Sequence, residues 1–419
     1  MFENKLKDIT QKKFICDVDF LKDGSYTFNA FATDKYLSAC GGFEKSQINI
    51  ENGVKGIRCY GTDEFHLLYA NDKYIYRGIN SNYSIASMST FPSTPQVINY
   101  FERGEPRSLV ICGYVGEILG FQPLNFSTCV YNNCSLIENR IFFCDKNSVF
   151  FSKDITTLDY SQTIDFTQLV DIPKSLGPAR KVFAIDDNLY IIAKNGICKV
   201  FNWKHPSLFK LSVLNTPYLD VVNDSPVKIG EQICFVSENK IYTLLHDNLQ
   251  EHNAFDHNIK VTQINSCGNF KHFYLVPQVV ECENRKALLV FNTLSKESYY
   301  FSGIDNISTT NGYSFEKDAN SIMHFTNDIN ANQQVVWESN SINFGTCKRK
   351  SLNIIEICLE DDAILSVTGD FGVRTFHLTS GCNCIKTNLL SKSFTFTFNG
   401  STACLPICNL RLTYNIKGE

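Results

Sequence analysis

Helical periodicity is almost absent from this chain. No segment holds apolar residues at i, i+3, i+4 and i+7 for three turns behind a capping residue, which leaves no support for a helical fold. No run of about 18 uncharged apolar residues occurs, so no membrane-spanning helix is expected. The first 16 residues, MFENKLKDITQKKFIC, are charged and lack the apolar core of a signal peptide, so export is not expected either. A basic excess is missing too: 39 Lys and Arg stand against 43 Asp and Glu, for a net charge of −4, unlike a general nucleic-acid binder. No GxSxG, GxGxxG, Walker A, HExxH or EF-hand loop is present. No catalytic residue, cofactor or metal is therefore assigned, and enzyme activity is not expected.

Phe (33) and Tyr (19) dominate the aromatics, whereas Trp (2) and Met (3) are scarce, a bias that suits pleated surfaces more than helices. Short β-type runs recur between Asn, Asp, Gly and Lys turns. Ile141–Phe143 and Val149–Phe151 flank the tetrad Cys144-Asp145-Lys146-Asn147. Val182–Ile185, Leu189–Ala193 and Ile197–Phe201 are joined by Asp186-Asp187-Asn188 and Lys194-Asn195-Gly196, and Ile233–Val236 and Lys240–Leu244 by Ser237-Glu238-Asn239. Units begin near residues 65, 109, 140, 183, 232, 273 and 321, a spacing of roughly 40–50 that suits four-stranded propeller blades. The expected fold is all-β: a β-propeller of about six or seven degenerate blades over residues 56–340, preceded by an arm or first strands in residues 1–55. A stacked pair of β-sandwiches is the rival architecture.

The pattern changes after Trp337. Residues 352–415 alternate more regularly, the mark of strands with one buried face. Phe394, Phe396 and Phe398 share one face and Thr395 and Thr397 the other. A C-terminal antiparallel β-sandwich over residues 341–419 is expected.

Several groups invite a chemical reading. Ser152-Lys153-Asp154 matches the Ser-x-Asp of a sialidase-type Asp-box, but Ile155 and Thr156 stand where x-Gly belongs and no Trp follows, so a polar turn is the expected reading. Cys382-Asn383-Cys384 and Cys404 with Cys408 gather four thiols, of which only the second pair has a zinc-type spacing; buried or edge thiols are expected. His246, Asp247, His252, Asp256 and His257 are ligand types in one polar loop, expected to be solvated. The 17 cysteines without an export signal suggest a reducing compartment and mostly free thiols. Lys348-Arg349-Lys350 is the densest basic stretch.

Three stretches resemble tail and neck proteins of tailed bacteriophages, of the packaged-DNA stabilisation and tail-nozzle type. They are Asn139–Ser152 with Asp159-Tyr160 and Ile164–Phe166; Val182–Ile197; and Trp337-Glu338-Ser339 with Asn343-Phe344-Gly345 and Lys348–Leu352. The likeness covers most of residues 60–415. It implies a structural virion protein of the tail or neck, made in the host cytoplasm and present in the virion. It further implies a homo-oligomeric, six-fold ring around the DNA channel, with neighbouring tail or portal/adaptor proteins as partners and DNA as non-specific cargo, without a membrane partner. Trp337, Phe344, Lys348, Arg349 and Lys350 are its candidate interaction residues. A carbohydrate-binding or glycoside-hydrolysing propeller acting in host-surface recognition is the alternative.

Overall fold

A computed structural model of the chain describes residues 13–32, 37–39, 134–157, 166–205, 208–253, 260–261, 267–280, 286–302, 306–307, 313–316, 321–326, 334–401 and 410–417, together with the strand backbones between residues 42 and 128. Nearly all regular structure is β, in several antiparallel sheets, with two three-residue 3-10 turns at Ile155–Thr157 and Lys174–Leu176. Among the described residues no helix is long and apolar enough to cross a membrane. The chain divides into a large unit, Phe43–Ser298 with Ser302–Phe325, and a second unit that combines Met1–Gly42, Tyr299–Phe301 and Thr326–Glu419.

The large unit is a succession of sheets in chain order. The first holds Gly56–Gly61, Phe65–Ala70, Tyr74–Ile79 and Asn82–Met88, and the second Gln96–Glu102, Glu105–Ile111, Tyr114–Ile118 and Ser127–Thr128. The third holds Cys134–Ile137, Arg140–Asp145, Ser148–Ser152 and Phe166–Asp171. Ala179–Ile185, Asn188–Ala193, Gly196–Phe201 and Lys210–Val213 form the fourth, and Val227–Ile229, Gln232–Ser237, Lys240–Leu245 and Asn248–His252 the fifth. In the sixth, Phe273–Val280 pairs with Lys260–Val261, Gly268–Phe270 and Lys286–Asn292. The seventh runs Asn306–Ile307, Tyr313–Glu316, Ser321–Thr326 and then Gly42–Asn49, a strand from the other end of the chain. Each of the seven unit starts expected from the sequence falls in a different one of these sheets.

The turns follow from local chemistry. Glu138-Asn139 and Glu238-Asn239 both take positive φ at both positions (45° and 59°, 48° and 60°), the geometry that joins two twisted strands by two residues. Lys146 and Asp186 (φ 50° and 51°) open the turns after Asp145 and Ile185.

Burial explains the apolar runs. Every residue of Leu189–Ala193 is buried, yet alternate residues point into different cores. Leu189, Ile191 and Ala193 pack with Phe142, Val149 and Trp203, whereas Tyr190 and Ile192 pack with Ile233, Phe235 and Tyr242. The fourth sheet is thus covered on both faces, by the third and by the fifth, and needs no polar alternation.

In the second unit two sheets share one core. Lys13–Val18, Leu410–Ile416, Lys350–Leu359 and Gly381–Ser391 form one; Gly24–Phe28, Gln334–Ser339, Thr395–Ser401, Ala363–Gly369 and Gly372–Leu378 form the other, with Tyr300 pairing in parallel with Phe28. Lys13–Val18 and Gly24–Phe28 are strands of the unit that carries the C-terminal strands. Phe394, Phe396 and Phe398 are buried while Thr395 and Thr397 are not, as the alternation requires. A register shift between Leu352 and Ile354 keeps Leu352 and Ile355, three residues apart, on the same buried face.

Trp337 centres this core. It has no exposed surface, meets Phe20 edge-to-face at 4.9 Å, and donates its indole N–H to the Phe20 carbonyl at 2.9 Å. Gly24 must lack a side chain, because a Cβ there would lie 2.5 Å from the Phe20 carbonyl oxygen and 2.9 Å from the Trp337 nitrogen. Trp337→Ala should lower stability by about 3–5 kcal/mol in chemical denaturation, whereas Phe371→Ala, at a side chain 74% exposed, should change it by less than about 0.5 kcal/mol; equal losses would contradict this packing.

Candidate functional site

Ser152-Lys153-Asp154 is a structural device. The buried Ser152 hydroxyl accepts the Ile141 N–H at 3.0 Å and donates to the Lys153 carbonyl at 2.6 Å. Asp154 Oδ1 accepts the Thr156 N–H and hydroxyl at 2.9 and 2.7 Å, which caps the short turn that follows.

The His/Asp loop separates among different partners. His246 Nε2 lies 3.2 Å from Asp186, and His252 Nε2 lies 2.9 Å from the Thr243 hydroxyl; Asp256 and His257 fall outside the described residues. Asp247 instead takes both oxygens to Lys199 Nζ at 2.9 Å and accepts the Tyr190 hydroxyl at 2.9 Å. Lys199 is buried, with its ammonium 5.3 Å from the Tyr190 ring centroid and 4.8 Å from that of Phe201. Among the described residues no group of three or more His, Cys, Asp and Glu is placed to hold a metal ion.

The electrostatics of this triad fix its protonation. The hydrogen bond from Lys199 is the main cause that holds the Asp247 carboxyl below its ordinary value. Burial works to lower the Lys199 pKa, but its hydrogen bonds to Asp247 and Tyr190 and their charges outweigh that and raise it. Burial raises the Tyr190 phenol. At neutral pH the lysine is an ammonium with its charge already matched, so it ties the fourth sheet to the fifth rather than acting as a nucleophile.

The thiols divide by environment. Burial pushes Cys144, Cys234 and Cys267 up to about 12 and Cys198 to about 11, so these four stay protonated and unreactive. Cys382 is not available to a zinc knuckle, because it faces Cys358 across paired strands and is bonded to it. Cys384 is exposed; Cys404 and Cys408 lie outside the described residues.

The expected interaction residues separate into inside and outside. Trp337 and Lys350 are both fully buried and offer nothing to a partner: Trp337 fills the core, and Lys350 Nζ donates to the carbonyls of Thr346 and Lys392. Burial lowers the Lys350 pKa. Phe344 is half-buried and stacks on Tyr414 at 4.1 Å, in a left-handed conformation (φ 52°) followed by Gly345 (φ 71°). Lys348 and Arg349 are exposed, and the Arg349 guanidinium lies 5.5 Å from the ring centroid of the exposed Phe371. Phe371 and Lys392 were not singled out in the sequence; the pairing of Lys350 with Ser391 brings Lys392 to this strand end, and Phe371 reaches Arg349 from the other sheet.

Two measurements check these assignments. The carboxyl of Asp247 is depressed in the folded state, so its contribution is present above its unfolded value of about 4 and lost as pH falls through the folded one. Melting temperature followed from pH 5 to pH 2 should therefore fall less steeply in Asp247→Asn than in the parent; parallel curves would remove the tie. Tryptic digestion without reductant should yield peptide 351–374 joined to 375–386 through Cys358 and Cys382, and finding the two only as separate peptides would contradict the bond.

No family model matches the chain and no curated protein matches it. Among solved structures, the computationally designed Ika8 protein matches 68% of this chain over 100% of its own at 9% identity and a TM-score of 0.43. The extracellular domain of BT4673 from B. thetaiotaomicron matches 83% of this chain over 47% of its own, at 12% identity and a TM-score of 0.45. Hsv2 from Kluyveromyces lactis matches 69% of this chain over 94% of its own, at 8% identity and a TM-score of 0.41.

Proposed function

We propose that the chain is a non-enzymatic structural subunit, a seven-bladed β-propeller with a second β-sandwich unit, that works through its surfaces in a ring assembly. The observation that carries the propeller reading is the way the run of sheets ends. Gly42–Asn49 supplies the outermost strand of the seventh sheet, and Tyr313–Glu316 of that sheet touches Gly56–Gly61 of the first. Consecutive sheets also touch through Gly56–Gly61 and Gln96–Glu102, Gln96–Glu102 and Cys134–Ile137, and Cys134–Ile137 and Ala179–Ile185. The shared core around Tyr190 and Phe235 joins the fourth and fifth sheets. Phe273–Val280 touches both Val227–Ile229 and Asn306–Ile307. A cycle of this kind, latched by a strand from the far end of the chain, buries every blade face and leaves only short edges.

A surface-acting role suits the chemistry that is present. The triad of Lys199, Asp247 and Tyr190 is internally matched, and the Ser152–Asp154 stretch is used up in hydrogen bonds to its own backbone. Such groups stiffen a scaffold. The resemblance to phage tail and neck proteins supports a homo-oligomeric ring in the tail or neck of the virion, packed against neighbouring tail or portal/adaptor proteins, with DNA passing as non-specific cargo. A net charge of −4 favours sliding over retention of DNA. The Trp337–Leu352 motif that carries part of that likeness is largely a core signature, since Trp337 and Lys350 are buried, so it supports a shared module more than a shared contact.

Electron microscopy of the purified chain should show closed rings of one size, and antibody labelling should place it in the tail or neck of virions. A chain that stays monomeric and is absent from virions would overturn the reading.

A further inference from the structure

The second unit is polar in charge from end to end. The strand Lys350–Leu359 is preceded by Lys348 and Arg349 and followed by Glu360, Asp361 and Asp362, all five exposed. Its ten residues separate the two groups by about 33 Å.

Both ends are built. At the basic end three segments are tied together. The buried Lys350 ammonium donates to the carbonyls of Thr346 and Lys392, and the Lys392 N–H donates to Asp370 Oδ2 at 3.0 Å. The Asp370 N–H donates to the Ser391 hydroxyl at 2.9 Å. Gly369 permits the approach, because a Cβ there would lie 3.1 Å from that of Ser391. The Lys417 N–H donates to the Arg349 carbonyl at 2.9 Å. The backbones of Arg349, Lys392 and Lys417 are thus tied together at this end, next to Lys348 in the chain and with Asp370 beside Lys392. Phe371 supplies an apolar surface, 74% exposed, beneath the Arg349 guanidinium. At the acidic end Asp362 Oδ1 accepts the Ser380 N–H at 3.0 Å and the Ser380 hydroxyl donates to the Glu360 carbonyl at 2.9 Å, which hold the turn in shape. Ile364, 38% exposed, lies two residues beyond it.

We propose that the basic corner of one copy docks on the acidic turn of the next, a head-to-tail contact between copies of this chain; the proposal rests on the ring reading and names a contact within it. Charge complementarity selects the second copy as occupant. A two-fold contact of the corner with itself would set Lys348 and Arg349 against their own equivalents, and like charges across an interface disfavour docking. A contact that joins the corner of one copy to the turn of the next without the reciprocal pair is heterologous, and it repeats and closes into a ring when its rotation divides a full turn. Exposed ion pairs are individually weak, so three of them together should alter association by about 10- to 100-fold and set register more than strength.

The test is sedimentation velocity of the full chain at low and raised salt, with folding of each variant checked by circular dichroism. The parent should associate at low salt and weaken as salt rises. Lys348→Glu with Arg349→Glu, and separately Glu360→Lys with Asp361→Lys, should each weaken association about 10- to 100-fold. Mixing the two reversed proteins should restore assembly, and so should combining all four changes in one chain. If the corner reversal unfolds the protein, Lys348→Gln with Arg349→Gln should still weaken association. Rings that keep their size in every variant would leave the ring reading standing and overturn this contact. A parent that is monomeric at low salt would overturn both. Binding of a fluorescein-labelled single-stranded oligonucleotide that is lost on corner reversal, with no self-association in the parent, would assign the corner to a polyanion and overturn the proposal.

Discussion

Burial of both faces of short antiparallel sheets is the constraint on which the large unit depends. In the sheet holding Ala179–Ile185, Asn188–Ala193 and Gly196–Phe201, Leu189–Ala193 and Gly196–Val200 are buried throughout, and the ammonium of Lys199, the one charged residue in those two runs, is matched by Asp247. The sheet is covered by a neighbour on each face, with Leu189 and Ile191 in one core and Tyr190 and Ile192 in another. The ends of a linear stack would each expose an apolar face, which costs about 25 cal/mol per Å² left in water. The Gly42–Asn49 strand lies beside Ser321–Thr326, so one sheet of the large unit combines the first strand of that unit with its last ones.

The second unit obeys a different rule. Its strands Lys350–Leu359 and Ala363–Gly369 are buried on one face only, so two sheets suffice and the outer faces are free to carry charge. Its ionic groups sit mostly at the strand ends, where loops from different strands meet. Lys350 is the exception that organises one such end. Its ammonium is buried, yet its two carbonyl partners belong to loops on either side, so a charge that would be costly alone fixes the geometry of its exposed neighbours. The triad of Lys199, Asp247 and Tyr190 does comparable work in the large unit.

Some candidate residues were legible and others were not, for identifiable reasons. The alternation around Phe394, Phe396 and Phe398 required one buried face and found it. The Ser152–Asp154 stretch was recognisable as a turn because its departures from the Asp-box remove the positions that define that motif. Trp337 and Lys350 were not legible as core. A tryptophan and a basic triplet in a polar stretch have the composition of a surface, and nothing local says that Phe20, more than 300 positions away, supplies the acceptor for the indole. Cys382 was expected as a buried or edge thiol but is bonded to Cys358, because its partner is set by register across strands, not by spacing along one.

By itself, the sequence determined the β character of the chain, the recurring strand-and-turn units, and the more regular alternation after Trp337. These are local properties, set by side-chain period and by turns that accept positive φ. Only the tertiary structure decided which unit joins which, that the N-terminal strands serve both units, and which charges are internal. Those outcomes depend on contacts between residues far apart in the chain, such as Lys199 with Asp247 and Trp337 with Phe20, and no periodicity within a segment encodes the partner that lies across the core.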